Sequence, residues 1–173
     1  FTEYFQWHNN LTWHPEGVDM ATRYSVQKTN WDQTTPTAFI KPNEMAGRVR
    51  VAYATYEASS LAAADVVEMF NLPNGARIIQ GWLGHDALAS STTLSVGYAA
   101  HSNAAGTAVV AAAAAYKAAA ASTSAQIVDI VATLALGAFT VVDADATGLP
   151  VTVTMGGAAG TGTIDLCIEY VVD

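Results

Sequence analysis

Charged side chains are scarce in this sequence. Asp, Glu, Lys and Arg together make up 13% of the 173 residues, about half the share that is usual in soluble globular domains. The surface must therefore be covered mainly by Thr, Ser, Asn, Ala and Gly, or be partly buried against other chains. This composition favours a component of an assembly.

The sequence also has only one cysteine and no long run of strongly apolar residues. The single cysteine, Cys167, excludes an intrachain disulfide and is interpreted as a small buried hydrophobic residue. The alanine-rich run AAGTAVVAAAAAYKAAAA, residues 104–121, contains Lys117 well inside it and no Leu, Ile or Phe. Because alanine contributes little to membrane insertion, we do not expect this run to span a membrane.

Positive charge is rare and unevenly placed. Seven basic residues oppose fifteen acidic ones, which gives a net charge of −8, and five of the seven basic residues lie before Val51. From Val51 onward only Arg77 and Lys117 accompany ten carboxylates. An acidic body of this kind repels phosphate groups, so we expect no nucleic-acid partner. Because the alanine-rich run is not expected to insert, we expect no membrane partner either.

Residues 1–46 are rich in aromatic side chains and contain three prolines. Their apolar positions follow neither the period of a strand nor that of a helix, so they do not predict a core of their own. They are nevertheless too aromatic for a solvated, disordered tail. We predict an extended N-terminal arm that packs on the body of the chain, on a neighbouring copy or on another protein, and that becomes ordered in an assembly. The candidate partner-binding residues are Tyr4, Phe5, Trp7, Trp13, Trp31 and Phe39.

Residues 47–173 have the pattern of short antiparallel strands. In RVRVAYATY the apolar Val49, Val51 and Tyr53 alternate with other residues, which predicts a half-buried strand. Two β-rich runs flank the turn sequence 73–75, Pro-Asn-Gly, which predicts a hairpin. The ending TIDLCIEYVV alternates apolar and polar residues most clearly of all.

Further strands are predicted for TTLSVGY, for AFTVVD (138–143) and for PVTVTM (150–155), with a hairpin turn at GGAAGTG before the last strand. The predicted fold class is therefore mainly β: an antiparallel, jelly-roll-like β-sandwich. Because alanine is the best helix former, the alanine-rich run is interpreted as one helix, capped by Thr107, in a crossover connection. A disordered linker is the alternative for this run.

No set of residues in the sequence converges on catalysis or metal binding. His8 and His14 are separated by a gap that matches no tight zinc-ligand pair. The pair His85-Asp86 has no nucleophile marked for it. The loop DADATG, which begins at Asp143, starts like a calcium loop but has Thr154 where the bidentate acid should stand. We therefore predict no enzyme, no metal site and no cofactor.

Three segments together resemble a known family. They are DVVEMFNLPNGARIIQGWL, TTLSVGY and the ending GTIDLCIEYVV, and their order is similar to that in the auxiliary head proteins of tailed bacteriophages, which decorate or cement the capsid. The resemblance covers residues 65–173 and implies a structural protein on the capsid surface of the virion. It further implies that the major capsid protein and copies of the chain itself, as a homotrimer, are its partners.

Two other functions stay open at this point. A receptor- or glycan-binding module of a tail or fibre could use an exposed aromatic residue, Trp82 or Tyr98, as a platform for a sugar ring. A hydrolase or metal enzyme would have to be built around His8, His14 or His85.

Overall fold

The structure, a computed structural model, describes Ser25, residues 27–28 and residues 47–172. The chain divides into two compact units, Phe1–Phe39 and Ile40–Asp173. In the first unit, the backbone N–H of Lys28 donates a hydrogen bond to Ser25 Oγ (3.1 Å). The predicted arm, residues 1–46, lies almost entirely outside the described residues, so its extended conformation and its end at residue 46 stay predictions.

The described part of the second unit consists of ten strands and one short 3₁₀ helix. They are β1 (Val49–Leu61), β2 (Val66–Leu72), β3 (Arg77–His85), β4 (Thr92–Tyr98), β5 (His101–Ser102), β6 (Ala108–Val109), β7 (Ala112–Ala121), β8 (Gln126–Ile130), the 3₁₀ helix (Leu134–Leu136), β9 (Leu149–Gly157) and β10 (Gly160–Val171).

The eight longer strands form two antiparallel sheets. The first sheet has the order β1-β10-β3-β8 and the second has the order β2-β9-β4-β7, while β5 and β6 form a separate small hairpin. Successive long strands alternate between the two sheets, except that β4 and β7 are neighbours in one sheet. This connectivity is that of an eight-stranded jelly roll. The predicted class, a mainly β antiparallel sandwich, is confirmed.

The core lies between the two sheets and is built from alternate residues of the central strands. In β10, Ile164, Leu166 and Ile168 are fully buried, as the alternation of TIDLCIEYVV predicts. From the second sheet, Val153 and Met155 of β9 are buried in the same core. Each such side chain contributes about 1.5–3 kcal/mol by leaving water, so these two strands anchor the sandwich.

The alanine-rich run is a strand, and the prediction of a helix there is wrong. Residues 112–121 form β7, which pairs antiparallel with β4. Gly97 of β4 permits this pairing, because a Cβ at that position would lie 1.8 Å from the carbonyl oxygen of Ala112. Tyr116 fills the core from the middle of β7 and is 4% exposed. Alanine's preference for the helix is only a few tenths of a kcal/mol per residue over many other residues, and sheet pairing and the burial of Tyr116 outweigh it. Among the described residues, none of the helices has the length and hydropathy that a membrane span requires.

The structure decides which face of β1 is buried, a question that the alternation in its sequence leaves open. Val49, Val51 and Tyr53 are more than half exposed, whereas Ala58 is buried and Ala52 packs against the core. The neighbouring strands β10 and β3 already fill this side of the core with large side chains, so the inner face of β1 takes small alanine side chains. Three apolar residues are thereby left on the outer surface.

Two predicted hairpins are turns between sheets instead. The turn at 73–75 exists, with Gly75 at a φ of +79°, but it joins β2 of the second sheet to β3 of the first. The glycine-rich segment before β10 likewise connects the two sheets. Residues 138–143 do not form a strand, because only Val141 makes a bridge, to Arg77. In all three segments the sequence correctly indicates a turn or an extended backbone, but it does not specify which strands pair with each other.

Candidate interaction surface

The outer face of the first sheet carries exposed apolar side chains. Antiparallel pairing places Tyr53, Cys167 and Trp82 in one row across β1, β10 and β3. In the adjacent row, Gly84 of β3 lies opposite Ile127 of β8. Tyr53 is 62% exposed and Ile127 is 77% exposed. Contiguous exposed apolar side chains make this face a candidate surface for interaction with another molecule.

A groove runs through this patch, and we call it the outer groove. Its volume is about 460 Å³, and its lining residues come from all four strands of the first sheet and the adjoining loops. Gly84 leaves space in it, because a Cβ there would meet only ordinary contacts, at 3.6 Å from Cβ of Asp165 and 3.7 Å from Cγ1 of Ile127. The lining residues of the groove include Tyr53, Trp82, Gly84, Asp86, Ile127 and Asp165.

Most polar groups at the groove already have partners within the protein. The Tyr53 hydroxyl donates to Asp165 Oδ1 (2.9 Å), and this hydrogen bond raises the pKa of Tyr53. Asp86 Oδ2 accepts the backbone N–H of Thr163 (2.9 Å), which lowers the pKa of Asp86. The groove therefore combines apolar walls with two carboxylates that are held in place by the protein itself.

His85 is a structural histidine. Its Nδ1 lies 2.8 Å from the carbonyl oxygen of Asp86, so Nδ1 carries the proton. Its Nε2 lies 3.3 Å from Nε2 of Gln126, which can donate to it. With only 8% of its surface exposed and both ring nitrogens engaged, His85 has no geometry for general-base catalysis on a bound substrate.

The described residues show neither an activated cysteine nor a group of metal ligands. Cys167, predicted to be buried, is only half-buried and lines the outer groove. Burial, and secondarily the charge of Glu169, raises the pKa of its thiol, which favours the protonated form. Among the described residues no group of three His, Cys, Asp or Glu side chains could hold a metal ion. Asp145, in the loop that resembles the start of a calcium site, instead accepts hydrogen bonds from the backbone N–H (2.8 Å) and the hydroxyl (2.6 Å) of Thr147. That carboxylate stabilises a turn.

A second apolar surface lies in residues 134–141, which we call the apolar loop. Leu134 is 76% exposed, Phe139 is 56% exposed and Val141 is 40% exposed. Phe139 has a φ of +60°, a left-handed conformation that is unusual for an aromatic residue. Its backbone N–H donates to the carbonyl oxygen of Ile78 (2.9 Å), and its own carbonyl accepts from Nη1 of Arg77 (2.9 Å). These bonds hold an exposed phenylalanine in a fixed place.

The sequence predicted different binding residues from those that the structure brings together. The six predicted arm residues, Tyr4 to Phe39, lie outside the described residues. Trp82, proposed above as a sugar platform, does line the outer groove. Tyr98, proposed with it, packs against His101 (5.4 Å between ring centroids) and Tyr116 (6.0 Å). Phe139 was missed, since a single phenylalanine in a predicted strand gives no signal of exposure.

The comparisons with known proteins find structural likeness but no sequence family. No protein-family model matches the chain, and no curated protein sequence matches it. The capsid of Ralstonia phage GP4 contains a chain of similar structure, with 25% sequence identity and a TM-score of 0.55, over 73% of this chain and 86% of that chain. The capsid asymmetric unit of cyanophage Pam1 contains another, with 21% identity and a TM-score of 0.50, over the same shares of the two chains. The jelly roll of this chain is thus similar to that of chains found in two bacteriophage capsids.

Proposed function

We propose that this chain is a non-enzymatic structural protein of a bacteriophage virion, which decorates the capsid surface and stabilises the capsid lattice. The observation that carries the proposal is the likeness to a chain in the capsid of Ralstonia phage GP4, over most of both chains. The sequence resemblance to auxiliary head proteins, stated above from three segments of residues 65–173, supports the same function. The partners are the major capsid protein and copies of the chain itself.

The proposed mechanism is stabilisation by binding alone. A protein that binds the assembled lattice, and not its separated subunits, shifts the equilibrium toward the lattice by mass action. In this proposal the aromatic arm supplies the attachment. An extended arm of 46 residues reaches across neighbouring subunits at up to about 3.3 Å per residue, and buried Trp and Tyr side chains are typical anchors of protein interfaces. The acidic body discourages adhesion to other anionic surfaces.

Binding of arm variants to capsids that lack this protein tests the proposal. A variant with Trp7, Trp13 and Trp31 changed to alanine should lose capsid occupancy, because one anchor in an interface contributes about 2 kcal/mol or more, or about 30-fold in Kd. The matched control changes Thr12, Thr22 and Thr34 to alanine in the same arm. Co-sedimentation measures occupancy, and the temperature at which the capsid releases DNA measures stabilisation. Equal occupancy of both variants would remove the arm from the mechanism, and failure of the unaltered chain to bind any capsid would remove the function.

The receptor- or glycan-binding alternative has one observation in its favour. Trp82 and Tyr53 line the same groove beside two carboxylates, and an aromatic platform with nearby polar groups is what a sugar-binding site requires. A glycan array separates the two functions. A structural capsid protein should bind no glycan on it, whereas a receptor-binding module should bind a related set of glycans and lose them when Trp82 is changed to alanine.

A further inference from the structure

We propose that copies of this chain associate head to tail, with the apolar loop of one copy inserted into the outer groove of the next. The inference rests on the self-association part of the proposed function and not on capsid binding. It adds the two surfaces that meet and the geometry of their contact.

The two surfaces lie at opposite ends of strand β3. The apolar loop is bonded to Arg77 and Ile78, where β3 begins. The outer groove is lined by Trp82, Gly84 and His85, where β3 ends. Gly84 is six positions after Ile78 along the strand, which corresponds to about 20 Å at about 3.3 Å per residue. One copy can therefore present its loop to one neighbour while its groove receives the loop of another.

The chemistry of the groove favours an apolar side chain as the occupant. Two polar groups of the groove are engaged within the protein: the Tyr53 hydroxyl donates to Asp165, and Asp86 Oδ2 accepts from Thr163. Between these groups the groove offers the apolar surface of Trp82 and Ile127 and the space above Gly84. Aromatic side chains that fill such desolvated spaces carry most of the binding free energy of protein interfaces.

The apolar loop has the properties of the matching insert. Phe139 projects from a loop whose backbone is fixed by two hydrogen bonds, so little conformational entropy is lost when it binds. Its left-handed φ of +60° is a strained conformation, and strain of this kind is concentrated at functional sites. The cation Arg77 supports the loop, whereas Asp86 and Asp165 stand at the groove. The two surfaces therefore also carry charges of opposite sign.

A head-to-tail contact between two different surfaces generates either a closed ring or an open filament. We expect a closed ring, because each copy then satisfies both surfaces and no apolar loop or groove is left at an end. The sequence resemblance implies a homotrimer, so the measured mass is compared with the mass of a ring of three copies.

The experiment is a complementation test on the full chain by analytical ultracentrifugation. The Phe139→Asn variant removes the insert, and asparagine tolerates a left-handed backbone. The Gly84→Leu variant fills the groove. Each variant alone should be a monomer, while the unaltered chain forms one oligomer of defined mass. An equimolar mixture of the two variants should form dimers, because one partner keeps an intact loop and the other keeps an intact groove.

Two controls separate a lost contact from a lost fold. Gly84→Ala adds only a Cβ with ordinary contacts and should keep the oligomer. Val66→Thr changes a residue of the second sheet that is 55% exposed and lies in neither surface, and it should keep the oligomer too. Far-ultraviolet circular dichroism should be the same for all variants, and any variant that fails this check is replaced at the same position by Phe139→Ser or Gly84→Met.

Three results would overturn the interface: an unaltered chain that is monomeric, variants that keep the oligomer, or a mixture of variants that stays monomeric. Capsid co-sedimentation of the same proteins distinguishes this failure from that of the proposed function. An intact oligomer that binds no capsid counts against the capsid function alone. A monomeric chain that still binds capsids counts against this interface alone.

Discussion

Replacing Gly97 by alanine tests the close contact between β4 and the alanine-rich strand β7. A Cβ at Gly97 would lie 1.8 Å from the carbonyl oxygen of Ala112 and 2.6 Å from the carbonyl carbon of Ala113, and both contacts are with backbone atoms. Backbone cannot rotate away as a side chain can, so the two strands must separate or slip. We expect a loss of about 3 kcal/mol, the upper part of the range for overpacked sites.

Gly84→Ala is the matched control, because it makes the same chemical change in a strand of the other sheet. Its added Cβ would meet atoms no closer than 3.6 Å, so the change in stability should be within about 0.5 kcal/mol, or slightly favourable since alanine has less freedom when unfolded. For a chain of this length a loss of about 3 kcal/mol lowers Tm by about 6–12 °C. Differential scanning calorimetry measures both variants. Equal Tm values would show that β7 does not approach Gly97 as described, and the strand assignment of residues 112–121 would lose its main support.

Three further predictions concern titratable side chains. Hydrogen bonds from Thr163 to Asp86 and from Thr147 to Asp145 hold the pKa values of both aspartates below the usual 3.8. Because the unfolded chain therefore binds more protons near that pH, the free energy of unfolding falls as the pH drops through this range. Acid titration of Tm should show a shallower fall for Asp86→Asn than for the unaltered chain. Tyr116→Ala should cost about 3–5 kcal/mol in urea unfolding, because it removes a buried ring from the core, and a cost under 1 kcal/mol would contradict that burial. Cys167, whose pKa is raised by burial, should react with a disulfide reagent at pH 8 much more slowly than free cysteine and reach the free-cysteine rate only in denaturant.

The strands that the sequence predicts best are those with one face in the core and one in solvent. Residues 164–168 show this alternation, and the structure buries Ile164, Leu166 and Ile168 while Asp165 and Cys167 lie on the outer face. The two-residue period is a direct consequence of strand geometry, so no knowledge of the partner strands is needed.

The alanine-rich strand could not be predicted, because its local and tertiary preferences disagree. Alanine favours a helix by its backbone entropy, and the sequence around β7 has no alternation of apolar and polar residues. The deciding residue is Gly97, which lies in another strand and makes room for the backbone of Ala112. The sequence of residues 112–121 alone therefore gives no information about that contact.

The candidate interaction surfaces could not be predicted from the sequence for a similar reason. The alternation at residues 49–53 predicts a strand with two different faces, but not which face is buried. The large side chains of β10 and β3 decide this, since they fill the core and leave Val49, Val51 and Tyr53 outside. The outer groove further requires the pairing of four strands that are distant in the sequence, and Phe139 lies in a loop rather than in the strand predicted for it.

The sequence by itself determined the β-rich sandwich class, the acidic character of residues 51–173 and the positions of the turns, because these depend on residue types and on periods of a few residues. The tertiary structure decided which strands are neighbours, which side of β1 faces water and what conformation the alanine-rich run adopts. These depend on the free energy of packing between segments that are far apart in the chain. Local preferences of a few tenths of a kcal/mol per residue give way when whole strands are buried together.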